Sequence, residues 1–492
     1  MKFLSSIAVA VACLGAVDAF AGDWPQFRYD AHRSAASPET LPAPLHLQWV
    51  RDMGTPRPAF PNEIRLLYDV SYEPIVLGKT MFVPSMVTDS VTALATETGK
   101  VRWRFFTDGP VRFAPVGWQG RVYFVSDDGH LYCVSADEGK LLWKFRGLPA
   151  GRRDRLVVGN GRLISLRPAR GGPVLKDGVV YFGAGIWLGD GIFLHALDAK
   201  TGKPRWSNTD SNILSQANLD HGVKGRAGLA PQGYLAVLGE KLVVPCGAQL
   251  PGFLDRRTGK LEPYTMGWGG RVGLPKGSWL VAGVGKHLVH SGDLYDVTRP
   301  NDEKFKNPRG RPDFKGRLYP GGYTRLLIDP TNRRPLGEFR QPVLTRDTLF
   351  LSDEKSGLEA YDLASVKIKK RIGNPRKDQY PDKWTTTLTR RWVLPAKGKI
   401  HIKAGDRLYS GGPGFVEAVD IPKTGGKPKV SWRTKIDGTP NRMLAADGKL
   451  FVAKAASTRS ARLPPANRSC THRPTSRPQK RTTAGRQQPD RF

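Results

Sequence analysis

Ala93-Leu-Ala-Thr-Glu-Thr-Gly99-Lys-Val-Arg-Trp103 decides the fold, because it comes back. It returns as Cys133-Val-Ser-Ala-Asp-Glu-Gly139-Lys-Leu-Leu-Trp143 and as Ala196-Leu-Asp-Ala-Lys-Thr-Gly202-Lys-Pro-Arg-Trp206. Each copy holds a small residue, a glycine six positions on and a tryptophan four further. Each follows a short apolar run, a glycine turn and a β-branched and aromatic run. Glu-Pro74-Ile-Val-Leu-Gly78-Lys-Thr-Met-Phe-Val is one such preface, and Pro115 to Val125 and Pro173 to Phe182 are the others.

Read as hairpins, each unit is four short strands joined by tight turns. A recurring four-strand unit of ~40 or more residues is a propeller blade. A sandwich would have no reason to keep the same small–Gly–Trp offsets three times. Weaker copies follow. Phe253 to Lys260 keeps the turn but has Pro263 in place of tryptophan, and Leu280 to Tyr295 has only the hairpin. Gln341 to Asp362 lacks both glycine and tryptophan at its end, and Ile400 to Trp432 carries one inserted residue before Gly425. Arg442 to Val452 begins one more unit. The expectation is an all-β, eight-bladed propeller of four-stranded antiparallel blades over residues 22–453, its last blade incomplete. Leu45-His-Leu-Gln-Trp49-Val is expected to be the strand that closes the ring and removes a free sheet edge.

The 492 residues are 39% hydrophobic, enough for one propeller rather than several smaller domains. Residues 1–21 read as a signal peptide. Lys2 supplies the positive start, Phe3 to Val17 the apolar run, and Ala19-Phe20-Ala21 the cleavage site. This places the protein in the periplasm or outside the cell. Ala10-Val-Ala-Cys13 is a weaker signal for a lipid anchor, and no other segment is apolar for long enough to span a bilayer. Past the leader only Cys133, Cys246 and Cys470 remain, an odd number that argues against a disulfide framework. Cys133 fills the small-residue position of the repeat, so a buried structural thiol is expected there.

Formal charge is +33. From Lys454 onward the chain carries ten Lys or Arg and one acid, net +9, so +24 remains upstream. Such a field favours anionic partners over neutral ones, or simply solvates the surface. Residues 454–492 are rich in Pro, Arg, Ser and Thr and are expected to be disordered. Because the change of composition falls inside a strand, one reading is that the native frame is lost near Ala453. The other is a basic arm for a polyanion.

These residues resemble the pyrroloquinoline-quinone-like repeat family. The spacing around Ala93, Gly99 and Trp103, Cys133, Gly139 and Trp143, and Ala196, Gly202 and Trp206 is similar to its tryptophan-docking motif. There, each tryptophan packs between blades against the next blade's small residue and peptide plane. Asp23-Trp-Pro-Gln-Phe-Arg28 is similar to the mature start of many secreted members. The resemblance covers Asp23 to Val452. It implies a fold, and two kinds of function: quinone-dependent dehydrogenases, and non-catalytic propellers such as the outer-membrane assembly scaffold, to which this chain is the more similar. The enzymes hold a quinone over a tryptophan at the propeller axis, beside a vicinal disulfide and a calcium ion. This sequence has no adjacent cysteines and no clustered Asp/Asn/Glu signature for calcium. It also lacks HExxH, C-x-x-C and a phosphate loop. Asp220-His221-Gly222 offers an acid and a base with no visible partner.

In a four-strand blade, the loop leading into strand one and the loop between strands two and three open on one side. The first set here holds Ser71, Glu73, Arg112, Arg170, Gln232, Arg340 and Arg442; the second holds Ser85, Thr88, Asp89, Asp127, Asp128, Trp187 and Gln249. Arginines around a central funnel suit a carboxylate or sulfate ligand, which guanidinium pairs bidentately. Trp187 suits a planar or sugar ring. The alternative is that the arginines pair with Glu73, Asp89 and Asp127 and hold loops. The sequence therefore supports a non-catalytic binding or scaffold propeller with no catalytic residue, metal or cofactor. Its expected partners are envelope or secreted proteins, or an anionic ligand; there is no specific nucleic-acid motif. The alternatives are a quinoprotein dehydrogenase using pyrroloquinoline quinone and calcium, and a polyanion or acidic-glycan binder.

Overall fold

The computed structural model describes residues 22–454 apart from 212–214, 219–223, 248, 263, 265–276, 292, 301–322, 327–340, 354, 373–381 and 424. The signal, Cys13, the Asp220-His221-Gly222 loop, Arg340, Cys470 and the tail beyond Lys454 lie outside the described residues.

Sheet 1 runs Ile75–Leu77, Thr80–Ser85, Ser90–Ala95 and Val101–Phe106, each strand antiparallel to the next. Sheet 2 repeats it with Val116–Trp118, Arg121–Val125, His130–Ser135 and Leu141–Arg146. Sheet 3 begins with Gly171–Lys176 and ends with Pro204–Asn208. The inner strands read as unbroken apolar runs because a neighbouring sheet covers each face. All of Thr80–Ser85 is buried, whereas Val101–Phe106 alternates between exposed and half-buried. Among the described residues sheet 4 starts at Ala236–Leu238 and has three strands, followed by one bridge, Leu254 to Leu261. Pro263, which stands at the tryptophan position in the sequence, lies outside the described residues. Sheets 5, 6 and 7 begin at Val281–Val284, Val343–Leu344 and Lys399–Ala404 and have four antiparallel strands of their own. Among the described residues the last sheet has two, Pro440–Ala446 and Lys449–Lys454. The chain is an all-β propeller. Among the described residues no helix is long and apolar enough to cross a membrane.

Sheet 6 corrects the sequence reading. Gly357–Ile372 and Asp382–Leu394 form a long hairpin, and its register sets Ala360 opposite Trp392. The tryptophan is present, displaced along the chain by the extension. Two hairpins lie between sheets and were not foreseen, Leu156–Gly159 with Arg162–Ser165 and Ser215–Asn218 with Lys224–Ala227.

Residues 22–37 tie the first strands together. Trp24 exchanges two backbone bonds with Val76, and Gly117 donates to the Pro25 carbonyl. The Gln26 amide bonds both the N–H and the carbonyl of Leu175. Val237, Gly283, Leu344 and Lys403 then donate in turn to the carbonyls of Ala31, His32, Ser34 and Ala35. Ala36–Ser37 pairs in parallel with Lys403 and Ala404, and Asp447 donates to Gly22. Among the described residues one short segment thus reaches each of these sheets: Gly22 meets the last, and Trp24 to Ala35 meet sheets 1 to 7 in chain order. To turn that tightly it holds Arg28, Tyr29, Arg33 and Ala35 at positive φ, 55°, 81°, 65° and 58°. Such backbone is uncommon outside glycine and persists only where surrounding bonds enforce it. Arg33 is fully buried, and its guanidinium donates to the carbonyls of Leu235, Phe27, Asp30 and Pro173.

The ring closes differently from the expectation. Leu45 to Val50 forms no ladder, yet Trp49 takes the place of a docking tryptophan. A Cβ on Gly99 would lie 2.8 Å from the Trp49 ring. Gly139, Gly202 and Gly259 stand in the same relation to Trp103, Trp143 and Trp206. Each ring lies over the turn glycine of the following sheet. The small residues act within their own sheets: register sets Ala93, Cys133 and Ala196 opposite Trp103, Trp143 and Trp206. The indole N–H groups of Trp49, Trp103 and Trp206 bond the carbonyls of Thr96, Ala136 and Arg256, three residues before each glycine.

Candidate functional site

Two buried clusters gather the residues singled out from the lead-ins to strand one. The first is built on Asp127, from the loop between the second and third strands of sheet 2. Arg170 holds it bidentately, Nε to Oδ1 at 2.8 Å and Nη2 to Oδ2 at 2.9 Å, and Arg112 Nε donates to Oδ2 at 2.6 Å. Arg112 also donates to Asp69, and Arg170 to the Tyr68 hydroxyl, which in turn donates to Gln232. All six side chains are buried. Two guanidinium groups face two carboxylates, so the cluster balances its own charge. Burial opposes charge on Arg170, but Asp127, Tyr68 and Asp69 outweigh it and raise its pKa. Burial raises Asp69 against the pull of Arg112, and it pushes Tyr68 up to about 12. Asp69 Oδ1 is buried without a partner.

The second cluster joins Glu73 to Arg442, whose Nε donates to Oε1. The Arg442 guanidinium lies 5.6 Å from the centre of the Trp279 ring. Arg28 bonds the carbonyls of Arg33 and Pro342 and the Gln341 amide oxygen. With two arginines against one glutamate, this cluster carries an excess positive charge. Burial moves Glu73 up to about 7 and Arg28 down to about 9. Burial also holds His401 down to about 3, with Arg442 and Arg28 adding to the effect. Arg28, Glu73, His401 and Arg442 line a cavity of about 30 Å³. That admits one or two waters.

The remaining positions lie elsewhere. Asp89 pairs with Arg162 of the first inserted hairpin. Trp187 precedes the short turn Leu188–Asp190 and is 61% exposed. Arg28, Asp69, Tyr68 and His401 were not foreseen. Only Arg28 had a sequence signal, since it ends the Asp23-Trp-Pro-Gln-Phe-Arg string.

Ordinary nucleophile chemistry has little to work with here. Cys133 and Cys246 are free and buried, and burial pushes their thiols up to about 12 and about 11. That is the reverse of an activated thiol. The calcium ion that the resemblance implies for its enzymes does not fit these clusters. Asp69, Asp127 and Glu73 each already hold an arginine, so a divalent cation would face Arg112, Arg170 or Arg442. Among the described residues no three His, Cys, Asp or Glu side chains gather to hold a metal ion.

Residues 47–173, sheets 1 and 2 with their flanks, match the family described as outer membrane protein assembly factor BamB. That stretch is similar to the pyrroloquinoline-quinone-like repeat. Similarity to known proteins runs in more than one direction. The dehydrogenase subunit of the quinone alcohol dehydrogenase of Gluconobacter oxydans is 29% identical over 145 residues, 27% of this chain and 18% of that protein. Serine/threonine-protein kinase AfsK of Streptomyces coelicolor is 29% identical over 209 residues, 40% of this chain and 24% of the kinase. The matches thus span less than a quarter of these relatives' length. The quinohemoprotein alcohol dehydrogenase of Comamonas testosteroni superposes with a TM-score of 0.50 at 15% identity, covering 88% of this chain and 76% of that one. At that identity the likeness concerns the fold alone.

Proposed function

We propose that this propeller is a non-catalytic binding or scaffold module, working in the periplasm or outside the cell and engaging envelope or secreted proteins. The observation that carries the reading is the state of the buried clusters. Each of their carboxylates is held by an arginine, which opposes ligation of a cation. The segment 22–37, bonded to the first strands of sheets 1 to 7, further commits those strands to structure. Fold alone does not name a partner, and many functions share a propeller.

The rival reading is a quinone-dependent alcohol dehydrogenase, which the matching stretches of such enzymes favour. Calorimetric titration with pyrroloquinoline quinone and calcium, followed by dye-linked oxidation of simple alcohols, separates the two. The scaffold reading expects no saturable heat and no dye reduction. Micromolar quinone binding with dye reduction would overturn it.

A further inference from the structure

Five sheets share one cross-strand row. It reads Ile75–Phe82–Ala93–Trp103 in sheet 1 and Val116–Tyr123–Cys133–Trp143 in sheet 2. Sheets 3, 6 and 7 repeat it with Val174–Tyr181–Ala196–Trp206, Val343–Phe350–Ala360–Trp392 and Ile402–Tyr409–Ala418–Trp432. The small residue on strand three lets the rings of strands two and four meet above it. Their centroids lie 5.6, 5.8, 6.0 and 5.9 Å apart in sheets 1, 2, 3 and 6.

The last sheet has the same row with one member missing. Leu444 opposes Phe451, and the Trp49 ring lies 6.0 Å from Phe451. Trp49 is fixed there from the other side by Gly99 and Thr96. Strands one, two and the strand-four tryptophan are therefore in place at the usual spacing. Among the described residues no strand pairs with the outer edge of Lys449–Lys454. Leu450, Phe451 and Val452 are only half-buried, where Met81, Phe82 and Val83 of sheet 1 are buried. Leu47 and Val50, beside Trp49, are 83% and 73% exposed.

We propose that the gap between Lys449–Lys454 and Trp49 is a strand-wide slot that takes up one extended segment of a partner polypeptide. In a complete sheet strands two and four stand two strand spacings apart, about 9.5 Å, and the open edge supplies the backbone bonds of β-augmentation. The row sets the chemistry of the guest. It must place a small residue between Phe451 and Trp49, an apolar residue two before it and another one after. Strand three of the five complete rows does so with Val91, Leu131, Leu194, Leu358 and Val416 before, and Leu94, Val134, Leu197, Tyr361 and Val419 after. At the ten-residue interval of sheets 2 and 6 the chain's own continuation does not. Ala461 follows Phe451 by ten residues, as Cys133 follows Tyr123 and Ala360 follows Phe350, but its flanking positions are Arg459 and Arg462. A guest with the apolar–any–small–apolar pattern suits the slot better than these arginines.

The test uses the full chain and a labelled synthetic peptide of the sequence Asp89 to Glu97, followed by fluorescence anisotropy. Saturable binding is expected, weakened at least tenfold when the peptide carries Ala93→Arg and when the protein carries Trp49→Ala. The peptide variant leaves the protein untouched, so the test stands even if Trp49→Ala fails to fold. Absence of binding at millimolar peptide would overturn the proposal and assign the slot to the chain's own residues after Lys454. Binding indifferent to Ala93→Arg would overturn it as well.

Discussion

Gly120 and Gly139 form a matched pair within sheet 2. Both sit in strand-to-strand turns at nearly the same backbone angle, φ 69° and 70°. Placing alanine at either costs about 1–2 kcal/mol for left-handed backbone, less a common gain from the stiffened unfolded chain. Nothing lies within 4 Å of a Cβ at Gly120. At Gly139 the new carbon would stand 2.6 Å from Cδ2 and Cε3 of Trp103 and 3.1 Å from Cζ3. Carbon contacts are favourable near 3.5–4.0 Å, so the ring must retreat by about 1 Å. It cannot retreat freely, since its Nε1 bonds Ala136 and its strand pairs with Ala93. Overpacking of this kind costs about 1–3 kcal/mol, and loss of the indole bond about 1 kcal/mol more. Gly139→Ala should therefore cost about 2–4 kcal/mol beyond Gly120→Ala in denaturant unfolding. In a Trp103→Ala background the difference should vanish. Equal costs for the two glycines in the wild-type background would refute the claim that the tryptophan seats on the turn.

Arg33→Met keeps the apolar stem but deprives four carbonyls of their donor, and should lower stability by about 3 kcal/mol in urea unfolding. Asp127→Asn leaves Arg112 and Arg170 buried without a full counter-charge and should cost about 3–5 kcal/mol, read as a fall in the unfolding midpoint. Glu73 has a raised pKa when folded, from 4.5 to about 7. Its folded form holds a proton that the unfolded form releases, so its stabilisation is full below pH 4.5 and is lost as pH rises to 7. The loss is about 3 kcal/mol at most, and Glu73→Gln should flatten stability across that window. His195 and His290 behave oppositely, because burial lowers both to about 4. Their contribution is present above pH 6.5 and drains away on acidification, which replacing both with Gln should reduce in an acid titration followed by tryptophan fluorescence.

Ala93, Gly99 and Trp103 were legible because each type is demanded by sterics at a fixed offset, and a repeat preserves offsets. Trp392 was not, because the long hairpin of sheet 6 stretches the same row across a distance no fixed spacing covers. Glu73, Arg112, Arg170 and Arg442 could be found as polar residues leading into strand one. Their partners Asp69 and Tyr68 come from the segment before sheet 1, and pairing across more than 40 residues leaves no local pattern. Residues 22–37 act mostly through backbone carbonyls, which every residue carries. The sequence showed their strangeness in Asp23-Trp-Pro-Gln-Phe-Arg28 without showing their task.

That task has a consequence for the order of assembly. Gly22 waits for Asp447, 425 residues later, and Ala31 to Ala35 wait for sheets 4 to 7. Contacts this distant in sequence slow folding. During synthesis the first sheets leave the ribosome with their organising segment present but mostly unengaged, and each new sheet captures one more carbonyl. The earliest part of the propeller to be made is the last to be finished, so a nascent chain should stay sensitive to protease near Arg28 until sheet 7 has emerged.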